Sequence, residues 1–208
     1  MLYSFRIASL TLALSSLGLT ALTQIESTVA AIPLSNTSFI LAPQSSQCGH
    51  LPTESKISCL TRNLQSSDNL LRRFAAWELG ELGEVAIEAS PYLINVLRED
   101  QGKWERVHAC IALGKIGLPI TEVLPSLRLI LEDPDSDIRS CAATSLGMVA
   151  VKIQNIFNDN NLSQADLDTA VSELEETLQV LQAPNADFNT EPIERVETSL
   201  NILKTRTN

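Results

Sequence analysis

The stretch RRFAAWELGELG at residues 72–83 recurs as RVHACIALGKIG at 106–117 and as RSCAATSLGMVA at 139–150. The three copies align without gaps on a Leu-Gly pair, and successive pairs are 34 and then 33 residues apart. Each copy starts with Arg, has small residues three and four positions later, and ends with an apolar residue followed by Gly or Ala. Such a period is typical of a stack of similar structural units.

The spacing of apolar residues predicts two helices in each unit. The first helix carries its small residues on one side, so a neighbouring helix can approach closely, and its glycines are predicted to end it. The second helix is predicted to open near Pro91 and Pro125, because a missing backbone N–H does no harm in a first turn. The chain is therefore predicted to be all-α, a short right-handed α-solenoid of about three helical hairpins.

The segments around the repeats complete the predicted domain organisation. Residues 54 to 65 have the leucine spacing of a second helix without its first, which indicates an N-terminal half-repeat. The third unit has about fourteen extra residues, because Leu178 lies 32 after Leu146 whereas Leu131 lies 18 after Leu113. We predict a signal peptide or N-terminal anchor at 1–31, an extended linker at 32–53, the solenoid at 54–183 and a C-terminal capping helix at 184–208.

The N-terminus has the features of an export signal. Arg6 precedes an uncharged run from Ile7 to Gln24, and the small side chains of Val29 and Ala31 suit a signal peptidase. The predicted location is outside the cytoplasm, in a periplasm, a thylakoid lumen or the extracellular space. If the segment is not removed, it is instead an anchor and the only part of the chain expected to contact a membrane.

Four cysteines in an exported chain indicate disulfide bonding, with three possible connectivities. Cys48 and Cys59 lie eleven residues apart at the loose start of the first predicted helix, and we predict that they are bonded. Cys110 and Cys141 fall on neighbouring repeat helices and are interpreted as small buried apolar residues.

The three copies resemble the first helices of HEAT repeats, particularly the phycobilin-lyase type of HEAT-like repeat. In that family an Asp commonly stands six residues before the Arg, and here Asp100 precedes Arg106 and Asp133 precedes Arg139. The resemblance implies a structural ladder of these carboxylates and arginines, which includes Arg72 although Ser66 stands six residues before it. It also implies a binding surface on the concave side, which the second helices line; the candidates there are Tyr92, Asn95, Arg98 and Leu129, with Trp104 on a first helix.

Composition and motifs restrict the function. The net charge is −10 and the C-terminal third is acidic, so nucleic acid is not an expected partner. The chain has two histidines and none of the hydrolase, metalloprotease or phosphate-binding motifs, and the acidic loop around Asp133, Asp135 and Asp137 lacks the pattern of a calcium-binding EF-hand. We therefore expect no catalytic residues, no metal and no cofactor.

The leading functional hypothesis is a non-catalytic interaction, scaffold or assembly module whose partner protein has a basic or apolar surface. Two alternatives stay open. One is an enzyme or chromophore-binding protein related to the phycobilin lyases, as the resemblance implies. The other is a structural envelope protein that keeps its N-terminal anchor.

Overall fold

A computed structural model describes residues 46–100, 102–159, 161–184 and 186–207, and all regular structure within these residues is helical. The predicted signal peptide or anchor at 1–31 lies outside the described residues. The α-helices in chain order are α1 Ser46–Gly49, α2 Thr53–Asn63, α3 Asn69–Leu82, α4 Ser90–Glu99, α5 Lys103–Ile116, α6 Ile120–Leu129, α7 Ser136–Asn158, α8 Gln164–Leu181 and α9 Thr190–Thr207. Short 3-10 segments follow α3 at Gly83–Ala89 and α6 at Ile130–Glu132. No described helix is long and apolar enough to cross a membrane.

The helices form the two layers of an α-solenoid. Helices α3, α5, α7 and α9 pack side by side in one layer, each on the next, and we call this the first-helix layer. Helices α4, α6 and α8 form the second-helix layer, and α2 packs against α3 at its start. The fold prediction of an all-α stack of helical hairpins is confirmed. The C-terminal helix α9 is the fourth helix of the first-helix layer. It packs on the side of α7 that would otherwise be exposed at the end of the layer.

The repeated positions of the sequence form the core. The aligned leucines Leu79, Leu113 and Leu146 are fully buried, and so are nearly all of the small residues three and four positions before them. Burying each of these leucines contributes about 1.5–3 kcal/mol to the free energy of unfolding. Because the leucines that recur are the ones that stabilise the core, the period of the sequence predicts the fold. At the end of the chain, α9 adds buried aliphatic side chains to the same core, namely Val196, Leu200 and Leu203.

The two glycines of a repeat do different things, whereas the sequence predicted that both end the first helix. Gly83 and Gly117 do end their helices, with φ of 61° and 70° that favour glycine. Gly80 and Gly114 instead lie inside α3 and α5. A Cβ on Gly80 would lie 2.9 Å from the Cα of Ala112, and one on Gly114 would lie 2.8 Å from the Cβ of Ser145. These inner glycines are therefore required for close helix packing.

The prediction that α6 opens near Pro125 is wrong, although Pro91 does lie in the first turn of α4. Helix α6 begins at Ile120, after Pro119, whose carbonyl oxygen accepts from the N–H groups of Glu122 and Val123 at 3.1 and 3.0 Å. A first turn thus forms before Pro125, which lies inside the helix. Its missing N–H leaves the carbonyl of Thr121 without a helical donor, and the exposure of Thr121 lets water supply one.

The predicted extended linker also differs at its C-terminal end. Residues Ser46–Gly49 form a helical turn, and Cys48 in this turn is fully buried. Cys48 is bonded to Cys59 of α2, with 5.8 Å between their Cα atoms. The covalent bond and the burial of Cys48 hold α1 against α2, which explains why this end of the segment is compact.

The additional length of the third unit lies partly in its first helix. Helix α7 has 23 residues, whereas α3 and α5 have 14 each. Ile153 in the extra part is fully buried. The chain then turns, and Ser163 caps α8 by accepting from the N–H of Asp166 at 3.2 Å, as the Ser163 and Asp166 spacing predicts.

Candidate functional site

The ladder residues lie at the turns between units. Arg72 donates to Asp100 from Nε at 2.5 Å and from Nη2 at 3.0 Å, while Arg106 donates from Nη2 to Asp133 at 2.5 Å. Both carboxylates are buried, and each also accepts from a backbone N–H two residues later in its own turn. Arg139 binds the backbone oxygen of Asp133 at 2.8 Å. Each carboxylate thus joins a turn to the first helix of the preceding unit.

The remaining acidic residues of the turn before α7 are also engaged. Asp135 caps α7 by accepting from the N–H of Asp137 at 2.8 Å. The ammonium group of Lys103 lies 3.0 Å from Asp135 and 2.5 Å from Asp137, and its hydrogen bond is the main cause that lowers the pKa of Asp135. Within the ranges that the structure describes, no three His, Cys, Asp or Glu side chains are grouped so that they could hold a metal ion.

Four of the five predicted binding residues lie on the second-helix layer. Tyr92, Asn95 and Arg98 are exposed on α4, and Leu129 is 59% exposed on α6. Tyr92 and Asn95 line an open pocket of about 610 Å³ between α4 and the α2–α3 loop. Other residues lining this pocket are mainly polar and include the Arg72 and Asp100 pair. A pocket with this lining offers both hydrogen bonds and apolar contact.

Trp104, the fifth predicted residue, lies on the other side of the stack, where α3 and α5 expose a row of apolar side chains. We call this surface the apolar first-helix face; its members are Leu70, Phe74 and Trp77 on α3 and Trp104 and Ile111 on α5. The half-buried His108 occupies the position of α5 that aligns with Phe74. Both tryptophans of the chain belong to the face, and they are 49% and 57% exposed. The α3 and α5 members occupy aligned positions of the repeat and form matching rows.

The face ends at α7. At the positions of α7 that align with these rows stand Asp137, Cys141 and Thr144, which are charged, small and polar. The fold therefore does not require large apolar residues in these rows. Because monomeric proteins rarely leave a contiguous group of large apolar side chains exposed without a use, the restriction to α3 and α5 indicates a binding surface.

A pocket of about 210 Å³ lies in the groove of this face between Trp77 and Ile111. The small residues Gly80 and Ala112 line it together with His108 and Lys115. The His108 ring Nδ1 lies 2.7 Å from the backbone oxygen of Trp104. Lys115 binds Glu81 at 2.5 Å, so the rim charge is balanced there. The pocket has room for one apolar side chain of a partner.

Sequence reasoning missed four members of the face. Leu70, Phe74, Trp77 and Ile111 stand within the repeat, where the sequence pattern predicts that apolar residues belong to the core. The signal that could have found them is their register, because they recur at helical spacing on the side opposite the small residues that face the neighbouring helix. Trp104 is the one member of the face that the sequence analysis names as a binding candidate.

The extension of α7 forms a separate open cleft of about 600 Å³ with the turns that end α3 and α5. Lys152 in this cleft donates to the backbone oxygen of Lys115 at 2.7 Å and lies 3.0 Å from Glu84. These contacts join the long helix to the turns of both preceding units. Two of the residues that line the cleft, Lys152 and Glu84, thus form a structural contact with each other.

Comparison with known proteins supports the repeat assignment. Residues 90–179 match the family model described as HEAT repeats. The chain is 40% identical over 96 residues to the phycocyanobilin lyase subunit alpha of Nostoc sp., which is 43% of this chain and 34% of that protein. The chain therefore spans about a third of the length of this curated relative.

The crystal structure of an engineered protein is 16% identical, with a TM-score of 0.44 over 78% of this chain and 88% of that one. The region from α4 to α8 is thus similar to HEAT repeats, and 96 residues of the chain are similar to part of a lyase subunit.

Proposed function

We propose that this protein is a non-catalytic interaction module that binds an apolar surface of a partner protein through the apolar first-helix face. The observation that carries the proposal is the exposure of Trp77 and Trp104 in matching rows of two adjacent helices, next to a pocket of one side chain's size. HEAT repeats commonly mediate contacts between proteins, and the match over residues 90–179 supports this class of function.

The chemistry of the face indicates an apolar partner surface. Lys103 and Lys115 at its rim are already paired with carboxylates. The guanidinium of Arg73 lies over the Phe74 ring, with 6.0 Å between Cζ and the ring centroid, so the face combines apolar surface with one cation. Tryptophan is enriched among the residues that dominate binding energy, because it buries a large rigid area with few rotatable bonds. A partner side chain in the pocket between Trp77 and Ile111 would add apolar contact at the centre of the face.

The direct test compares partner binding by the full-length chain and by a Trp77→Ser/Trp104→Ser variant. Truncating one central tryptophan of an interface costs about 2 kcal/mol or more, which is roughly a 30-fold loss of affinity. We expect the double variant to lose at least this much, as measured by titration of the partner recovered by photocrosslinking from position 111. The variant should keep the helical content of the parent and a single unfolding transition, although the loss of two half-buried side chains will lower the transition midpoint.

Thr144 supplies the matched control because it aligns with Trp77 and Ile111 but lies on α7 beyond the face. A photocrosslinker at position 144 should give little product, and Thr144→Ser should bind like the parent. The second-helix face stays a competing prediction with Tyr92, Asn95, Arg98 and Leu129 as its contacts. Two results together would assign the binding site to that face: capture of the partner by a crosslinker at position 92, and unchanged binding by the tryptophan variant.

The lyase subunit from Nostoc sp. favours a second candidate function, because 96 residues of this chain are 40% identical to it. A phycobilin lyase-like enzyme or chromophore-binding protein would bind a bilin. Incubation of the full-length chain with phycocyanobilin, followed by gel filtration under native conditions and visible absorbance, tests this. Colour that stays with the chain would reject the non-catalytic module in favour of this candidate.

We also propose that the module acts outside the cytoplasm after removal of residues 1–31. The export pattern of the N-terminus and the Cys48–Cys59 disulfide support this, because disulfides persist in oxidising compartments. N-terminal sequencing of the protein from its native host should give a first residue near Ile32. An intact Met1 would instead favour the anchored structural envelope protein.

A further inference from the structure

We propose that Cys110 and Cys141 form a second disulfide, which joins α5 to α7 when a small-molecule disulfide oxidant is present. In the structure both residues are free thiols. Neither the fold nor the proposed binding face requires this bond, so it is an independent inference about covalent modification of the solenoid.

The two thiols lie opposite each other across the α5–α7 contact. Cys141 Sγ lies 3.5 Å from the backbone oxygen of Val107, one turn before Cys110 on α5. In the other direction, Cys110 Sγ lies 3.5 Å from Ser145 Oγ, one turn after Cys141 on α7. Ser145 Oγ also donates to the backbone oxygen of Cys110 at 3.0 Å. These contacts bracket the pair from both sides and fix its register.

The helices approach closely enough for a disulfide. One turn beyond Cys110, a Cβ on Gly114 would lie 3.0 Å from the Cα of Ser145, so the two backbones are almost in contact. A disulfide needs Cα atoms about 4.4–6.8 Å apart, which requires that the two helices pack closely at the pair. The repeat also does not need a cysteine to fill the space, because Ala76 and Ala143 occupy the positions of α3 and α7 that align with Cys110.

The two thiols differ in reactivity, which sets the order of the steps. A hydrogen bond with Cys110 lowers the pKa of the partly exposed Cys141, whereas burial raises the pKa of Cys110 well above its usual value. Cys141 as thiolate attacks an oxidised small disulfide, forms a mixed disulfide and releases one small thiol. The Cys110 sulfur then attacks the Cys141 sulfur, loses its proton and releases the second small thiol. Two cysteine thiols are oxidised and one small disulfide is reduced to two thiols.

The test is thiol counting on the full-length chain with the Cys48–Cys59 bond intact. The protein is incubated with oxidised glutathione, quenched with acid, denatured and alkylated, and its mass is measured. We expect the number of alkylated thiols to fall from two to none. Trypsin should then release one linked pair of peptides, Val107–Lys115 joined to Ser140–Lys152. Two remaining thiols would overturn the proposal, as would a linkage of either residue to Cys48 or Cys59.

Two single variants test the order of attack. Cys110→Ala, which restores the alanine of the other two units, should keep one glutathionyl group on Cys141. Cys141→Ser should stay unmodified, since Cys110 is fully buried. The parent should melt several degrees higher after oxidation, whereas Cys110→Ala/Cys141→Ser should melt at one temperature under both conditions. Equal glutathione labelling of the two single variants, or an oxidation shift in the double variant, would contradict the mechanism.

Discussion

Replacing Gly114 by valine is expected to lower the free energy of unfolding by about 3 kcal/mol, the upper end of the range for overpacked cores. The new Cβ would lie 2.8 Å from the Cβ of Ser145 and 3.0 Å from its Cα. Because the second of these atoms is backbone, a change of rotamer cannot relieve the contact, and α5 and α7 must move apart. Urea unfolding followed by far-ultraviolet circular dichroism measures the loss.

Gly49→Val is the control for this prediction, because no heavy atom lies within 4 Å of a Cβ at position 49. Its unfolding free energy should stay within about 0.5 kcal/mol of the parent, as for most surface substitutions. Combining Gly114→Val with Ser145→Gly removes two of the three nearest atoms, and the double variant should recover about 1 kcal/mol relative to additivity. If Gly114→Val is as stable as Gly49→Val, the close approach of α5 and α7 is not required.

Asp100→Ala is expected to cost about 2–3 kcal/mol, the range for losing charged hydrogen bonds from a buried group. The Asp100 carboxylate is only 4% exposed and accepts from two nitrogens of Arg72 and from the N–H of Gly102. Removal leaves the Arg72 guanidinium with two weaker acceptors, the backbone oxygen of Ser66 and the side chain of Asn69. Thermal unfolding of the purified variant checks the loss.

The control is the exposed pair of Glu191 and Arg195 on α9, whose nitrogen and oxygen are 2.6 Å apart. Exposed pairs of this kind contribute about 0.3–0.5 kcal/mol, so Glu191→Gln should shift the transition only slightly. Asp100→Asn keeps an acceptor for Gly102 but loses the charge, and it should fall between the two. An effect of Asp100→Ala as small as that of Glu191→Gln would show that the ladder contributes no more than a surface ion pair.

The sequence predicted the all-α stack well because the residues that repeat at this period are the residues of the core. Leu79, Leu113 and Leu146 and their small neighbours recur at a fixed spacing. When the three units stack, each of these equivalent residues is buried in the same way. The local chemistry was readable where neighbours in sequence interact, as with Ser163 capping α8. It was not readable for Pro125, because an earlier proline, Pro119, had already provided the start of the helix.

The candidate site could be predicted only in part. Most apolar residues of a helical repeat belong to the core. The sequence does not say which of them the packed helices leave exposed. Trp77 and Phe74 share α3 with fully buried residues, and only the packing of α5 against one side of α3 leaves them outside. The predicted contacts on α4 and α6 remain a separate hypothesis, since these helices belong to the second-helix layer and not to the apolar first-helix face.

What the sequence by itself determined is the helical repeat, its period, and the acids and arginines that recur with it, because these depend on spacing along one chain. The stretch from Arg72 to Gly83 and its two copies carry this information. The tertiary structure decided which turn each arginine joins, which glycines lie between helices, and where Cys110 meets Cys141. It also decided that Trp77 and Trp104 share one exposed face, because residues 27 or more apart in sequence become neighbours only when the helices pack.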